Sequence, residues 1–149
     1  MGGSCLCEPE VANFLADYSN WDIATLELGV NMRGHFTLEE FTARAYYLIE
    51  QMVSKHPNKP IFLLNIFPNS ADHHHDVSHP ISVANREYRE AIRGIHRKLV
   101  RLEQQHLHLL EGETILTDFS ALAGDLIHPS DYGHILMGQR LAEEMQIRL

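Results

Sequence analysis

The chain is poor in the residues that staple a fold or carry it across a membrane. It has two cysteines and no apolar run approaching the roughly 18 residues that a membrane-crossing helix needs. Cys5 and Cys7 stand one residue apart, a spacing poorly suited to an intrachain disulfide, and no second pair exists to close a zinc site. Two free thiols suit a reducing compartment. Positive charge is also scarce. Twelve Lys and Arg face twenty Asp and Glu, a formal net charge of -8. Nucleic acid and anionic membrane surfaces would repel such a chain and are not expected partners. The first twenty residues show no basic leader followed by an apolar core, so the cytoplasm is the expected compartment.

What remains is an ordinary globular composition, 44% hydrophobic and 21% charged, in 149 residues that read as a single domain. Val11, Phe14, Leu15 and Tyr18 repeat at helical spacing and mark a first helix. A short apolar run over residues 21–28 reads as a buried strand that ends at Gly29. Thr37-Leu38-Glu39-Glu40 forms a capping box, opening a helix whose inner face holds Leu38, Phe41, Ala45, Leu48, Ile49 and Met52. Residues 61–67 give the strongest strand signal, nearly continuous in apolar side chains, as expected when both sheet faces are covered. A polar loop over residues 68–80 leads into a long helix carrying Ala84, Tyr88, Ala91, Ile92, Ile95, Leu99 and Leu102. Residues 106–111 read as a third strand. Ser130 or Asp131 caps a last helix through Ile135, Gly138, Leu141, Ala142 and Met145. Strands alternating with helices imply a parallel sheet with right-handed crossovers, in a three-layer α/β/α sandwich. Functional groups in such sheets gather at the carboxyl ends of the strands, where the loops 29–34 and 68–80 both lie.

Three stretches could carry chemistry there. In Gly124-Asp125-Leu126-Ile127-His128-Pro129, the D-x-x-H spacing lets a carboxylate fold back onto the imidazole. It would hold the ring tautomer and stabilise the imidazolium that forms on accepting a proton. An exposed capping turn would have the same spacing. In Gly29-Val30-Asn31-Met32, the Asn31 amide could face a developing oxyanion, although Gly and Asn are also the commonest turn residues. Met1-Gly2-Gly3-Ser4-Cys5 precedes a helix, so its backbone N–H groups could bind an anion, or it could be a loose end.

Together and in this order, the three stretches resemble the SGNH/GDSL-type serine ester hydrolases. That family's blocks are a GDS-type serine, then a glycine, then G-x-N, then D-x-x-H-P before the last helix. Gly3 matches the second block, Gly29 and Asn31 the third, and Asp125, His128 and Pro129 the fifth. The resemblance covers essentially the whole chain and implies a flavodoxin-like SGNH hydrolase fold. It implies His128 as general base, Asp125 as its partner, and Asn31 and the Gly3 N–H as oxyanion donors. Gly29 would line the site. The implied reaction deacylates a small-molecule, lipid or carbohydrate ester through an acyl-serine, with no metal or cofactor.

Two departures stand out. Met32 occupies a position where the family usually has Asp, which affects a loop hydrogen bond rather than the oxyanion donor. The serine block itself is not seen, so the chain is expected to be the later part of such a domain, with its N-terminal strands missing. Ser4 has no strand before it to form a sharp turn, and it lies on the element expected to donate to the oxyanion. The alternative is a non-catalytic scaffold that binds a carbohydrate or a protein partner. A weaker option is metal binding by His73, His74, His75, Asp76 and His79, but adjacent residues of an extended chain point apart, and a mobile polar loop is expected. Glu27, inside an apolar strand, either faces the cleft or reaches solvent at the sheet edge. An uncovered first strand is expected to favour self-association.

Overall fold

The computed structural model describes residues 3–102 and 104–149. Three short strands form one parallel sheet in chain order: β1 (Ala24–Glu27), β2 (Ile61–Leu64) and β3 (Leu107–Leu110). Each is shorter than its apolar run, because the flanking residues leave the ladder to enter loops. The register sets Glu27 beside Leu64, and Leu64 beside Leu110, at the carboxyl edge.

Strand alternation divides the core in two. Leu26, Leu28, Ile61, Leu63 and Leu107 face the layer made by α1 (Pro9–Asp17), α2 (Leu38–Lys55) and α3 (Pro80–Val100). Phe62, Leu64 and Leu110 face the other way, toward Ile115 of the short α4 (Gly112–Ile115) and Met137, Leu141 and Met145 of α5 (Asp131–Gln146). The result is the three-layer α/β/α arrangement, with β1 at one edge of the sheet.

The capping box closes as the sequence predicts: the Thr37 hydroxyl accepts the Glu40 N–H, and the Glu40 carboxylate accepts the Thr37 N–H. Phe41 of α2 stacks flat on Tyr88 of α3 with ring centroids 3.9 Å apart, fixing those helices on each other. Leu38 and Leu102, expected inside, are exposed, since they lie at or beyond helix ends.

Two helix faces differ from the sequence reading. Of the expected apolar stripe at α1, Leu15 packs on the core but Val11, Phe14 and Tyr18 look outward, with Phe14 68% exposed, and Ala12 and Ala16 are the buried positions. Small side chains let α1 lie close on α2, where the Tyr47 hydroxyl bonds Asn13 and His56 bonds the Ala16 carbonyl. In α5, Ile135 is exposed and the buried position is Gly133. A Cβ there would collide with the Ala121 carbonyl oxygen, so any larger residue makes the helix start or that carbonyl shift.

Candidate active site

The last loop is folded tightly before α5. The Ala123 N–H donates to the His128 carbonyl at 2.7 Å, and the Ser130 N–H to the Ala121 carbonyl at 2.8 Å. Leu126 takes a left-handed φ of 57°, which is unfavourable for a side chain with a Cβ and needs support from neighbours. That support includes the Leu126 carbonyl accepting the Ser70 N–H at 2.8 Å. The twist turns Asp125 and His128 toward each other.

Asp125 Oδ2 lies 2.6 Å from His128 Nδ1, and its other oxygen accepts the N–H groups of Ile127 and His128, each at 2.9 Å. The hydrogen bond to the His128 ring, followed by those two backbone bonds, holds the Asp125 carboxyl down at about 2. A carboxylate only accepts, so Nδ1 carries the proton and Nε2 is left to exchange one. Ser130 caps α5 through its hydroxyl and the Gly133 N–H.

His128 lines a cleft of about 90 Å³ with Glu27, Val30, Ile66, Phe67, Asn69, Ile127 and Pro129. Asn31 is not among those lining residues; it follows Val30 in the turn closed by the Met32 and Arg33 N–H groups on the Gly29 carbonyl. Gly29 has φ 127°, and a Cβ there would come within 2.8 Å of Ile66. Met32, in place of the family's Asp, is a fully buried core side chain, so that position packs instead of hydrogen bonding. Gly3 is exposed, with φ 70°, and is not among the residues lining the cleft. Ser4 lines another cavity, of about 160 Å³, with Cys5, Cys7, Val11, Leu15, Thr25, Leu26, Glu27 and Leu28, which meets the His128 cleft at Glu27. There the two thiols share a hydrogen bond that lowers the Cys5 pKa and raises that of Cys7.

Glu27 faces the α5 side of the sheet, as its partner Leu64 does. Oε1 is buried without a hydrogen-bond partner among the described residues, and desolvation pushes the carboxyl up to about 7. It borders the His128 cleft and also a groove of about 360 Å³ containing Thr25, His134, Met137 and Leu141.

The histidine loop is more ordered than a loose polar segment. It contains a 3-10 turn at Ser70–His73, with His73 edge-on to Phe119 and His74 against the rings of His75 and His79. Among the described residues, no group of three or more His, Cys, Asp or Glu is arranged to hold a metal ion. No described helix is long and apolar enough to cross a membrane.

Sequence reasoning missed Asn69, which lines the cleft and caps the 3-10 turn in a reciprocal pair with Asp72. The N-x-x-D spacing after Pro68 was the available signal. It also missed Arg33, whose guanidinium reaches Asn69 and Asn85.

Comparison with known proteins supplies the context. The sequence model of the GDSL-like lipase/acylhydrolase family matches residues 1–146. No curated protein matches. Among solved structures, the chain is similar to a salicylyl-acyltransferase from a tetracycline biosynthetic pathway, at TM-score 0.78 and 18% identity, covering 95% of this chain and 41% of that one. It is similar to a Bacteroides ovatus protein described as a GDSL-like lipase, at TM-score 0.79 and 22% identity, covering 97% and 40%. A family 3 carbohydrate esterase from Talaromyces cellulolyticus matches at TM-score 0.67 and 16% identity, covering 98% and 67%. The chain thus spans about two-fifths of the length of the first two.

Proposed function

Because the chain belongs to the GDSL-like lipase/acylhydrolase family, we propose that it carries the base half of an ester-hydrolysing site, with His128 as general base and Asp125 as its orienting carboxylate. The observation that supports this most is the 2.6 Å Asp125–His128 bond opening on a cleft at the carboxyl edge of the sheet. In this reading His128 Nε2 takes the proton from a serine hydroxyl as that oxygen attacks the ester carbonyl. In this reading the tetrahedral oxyanion is met by the Asn31 amide and by the Gly3 N–H. Collapse expels the alcohol, which receives the proton from His128. Water, activated by the same base, then releases the acid.

The serine of this reading sits on a strand that pairs with the free edge of β1. Ser4 fits the role less well because it borders a different cavity from His128. The acyl group and the alcohol are those of a small-molecule, lipid or carbohydrate ester.

The test is turnover of a short-chain nitrophenyl ester by the chain alone and by a fusion carrying, ahead of residue 1, the first strand and Gly-Asp-Ser turn of a full-length family member. The lone chain is expected near background, since loss of a triad nucleophile costs on the order of a million-fold. The fusion should turn over, and His128→Ala should abolish that. Turnover indifferent to His128→Ala would refute the assignment. Inactivity of the fusion, together with binding of a carbohydrate or protein to the lone chain, would favour a non-catalytic scaffold.

A further inference from the structure

We propose that Arg33 is a positioning residue, tying the turn that carries Asn31 to the turn that carries Asp125 and His128. The functional meaning of those turns rests on the reading above, whereas the tie itself does not.

The path is continuous in hydrogen bonds. Arg33 lies two residues after Asn31, and its own N–H closes the turn on the Gly29 carbonyl at 3.1 Å. Its Nη1 donates to Asn69 Oδ1 at 3.0 Å and to Asn85 Oδ1. Asn69 is buried, and all of its polar groups are engaged. Oδ1 also accepts the Ala71 N–H and the Asn85 Nδ2, Nδ2 donates to the Phe67 carbonyl, and the backbone N–H donates to Asp72. The next residue, Ser70, donates its N–H to the Leu126 carbonyl, between Asp125 and His128. Leu126 is the left-handed residue of that turn, the point at which an external hold matters most.

The far side of the hub is anchored as firmly. Asn85 donates to Asp72, and Arg89 of α3 grips Asp72 with two nitrogens while holding the Ile66 and Phe67 carbonyls. The loop after β2 is therefore a fixed block between the other two loops. Among the described residues, Arg33 is the side chain that hydrogen-bonds from residues 29–34 to that block.

The chemistry of the contact favours a positioning role over an ion pair. Both direct acceptors of Arg33 are neutral amide oxygens. Burial lowers its pKa, the charge of Asp72 one step away opposes that, and Arg89 adds to the lowering. Both bonds leave the single nitrogen Nη1, so a lysine ammonium can match them in number of donors but, on its flexible stem, not in fixed direction.

The test needs no substrate. Amide exchange and the His128 ring-proton resonance are followed by NMR in the 149-residue chain, in wild type, Arg33→Met and Arg33→Lys. In Arg33→Met the Ser70 N–H is expected to exchange roughly tenfold faster, and the downfield His128 Nδ1 proton to broaden or vanish. The strand amides of Leu63 and Leu109 should keep their protection. Arg33→Lys should fall between the two, and it decides the matter should Arg33→Met not fold. Uniform acceleration of loops and strands would make Arg33 a stability residue only and overturn the proposal. So would unchanged Ser70 and His128 signals. Because no turnover is read, an inactive fusion would leave this result standing, and an active fusion would not rescue it.

Discussion

The two faces of the sheet are built differently. On one, α1, α2 and α3 close over a continuous core in which Phe41, Ile49, Ile92 and Leu99 are essentially solvent-free. On the other, α5 buries only Gly133, and its Met137, Leu141 and Met145 cover the strands partially. The stable face holds the strands in register. The thin face carries Glu27, and the His128 cleft opens beside it at the carboxyl edge of the sheet. The dense core and the candidate site thus draw on the sheet unequally, and substitutions on the two faces should differ in cost.

The largest effect is expected from Phe41→Ala, which removes the stack on Tyr88 and leaves a void in the dense face, costing about 3–5 kcal/mol in urea unfolding. Leu141→Ala on the thin face should cost only about 1 kcal/mol. Equal losses would mean that α5 is a full partner in the core.

Next is Glu27. Its folded pKa, about 7, lies above the ordinary 4.5, so the folded chain binds the proton more tightly than the unfolded one. Stability is therefore highest below about pH 4.5 with respect to this group and falls as pH rises toward 7. The loss amounts to about 3 kcal/mol at most. Thermal unfolding across that range should show the decline in wild type and a flatter profile in Glu27→Gln. An unchanged profile would place the carboxylate in water. Asp125 acts with the opposite sign: its lowered pKa stabilises the fold above the ordinary 3.8, and that contribution fades as pH drops through about 2.

A smaller effect is expected from Gly133→Ala, whose added Cβ would press on the Ala121 carbonyl at the start of α5. The loss is about 1–3 kcal/mol, and the His128 resonances should shift while those of α2 do not. Smallest in free energy is association through β1, which among the described residues pairs with β2 on one side only. Sedimentation of the isolated chain should show a dimer or larger species, and a monomer at every concentration would mean that the edge is self-protected.

How far the sequence could be read follows the range of the interactions. The Thr37 capping box, β2 and the folding of Asp125 onto His128 depend on neighbours within a few residues, and their spacing announces them. Periodicity showed that α1 and α5 are helices and set Leu15, Leu141 and Met145 against the core, but it also put Phe14 and Ile135 there, whereas Ala12, Ala16 and Gly133 are the buried positions. The Arg33–Asn69–Asn85 hub joins positions 33, 69 and 85, which share no local pattern. Glu27 stood out as a carboxyl in an apolar strand, yet only the sheet register showed that it faces α5 rather than solvent.

The central claim is that this chain holds the base of an ester-hydrolysing site whose nucleophile pairs in beside β1. Labelling with a fluorophosphonate, with the modified residue mapped by mass spectrometry, tests it most directly. No label is expected on the lone chain, and the strand-bearing fusion should carry one on the supplied serine that His128→Ala removes. A label on Ser4 of the lone chain, accompanied by repeated turnover, would contradict it.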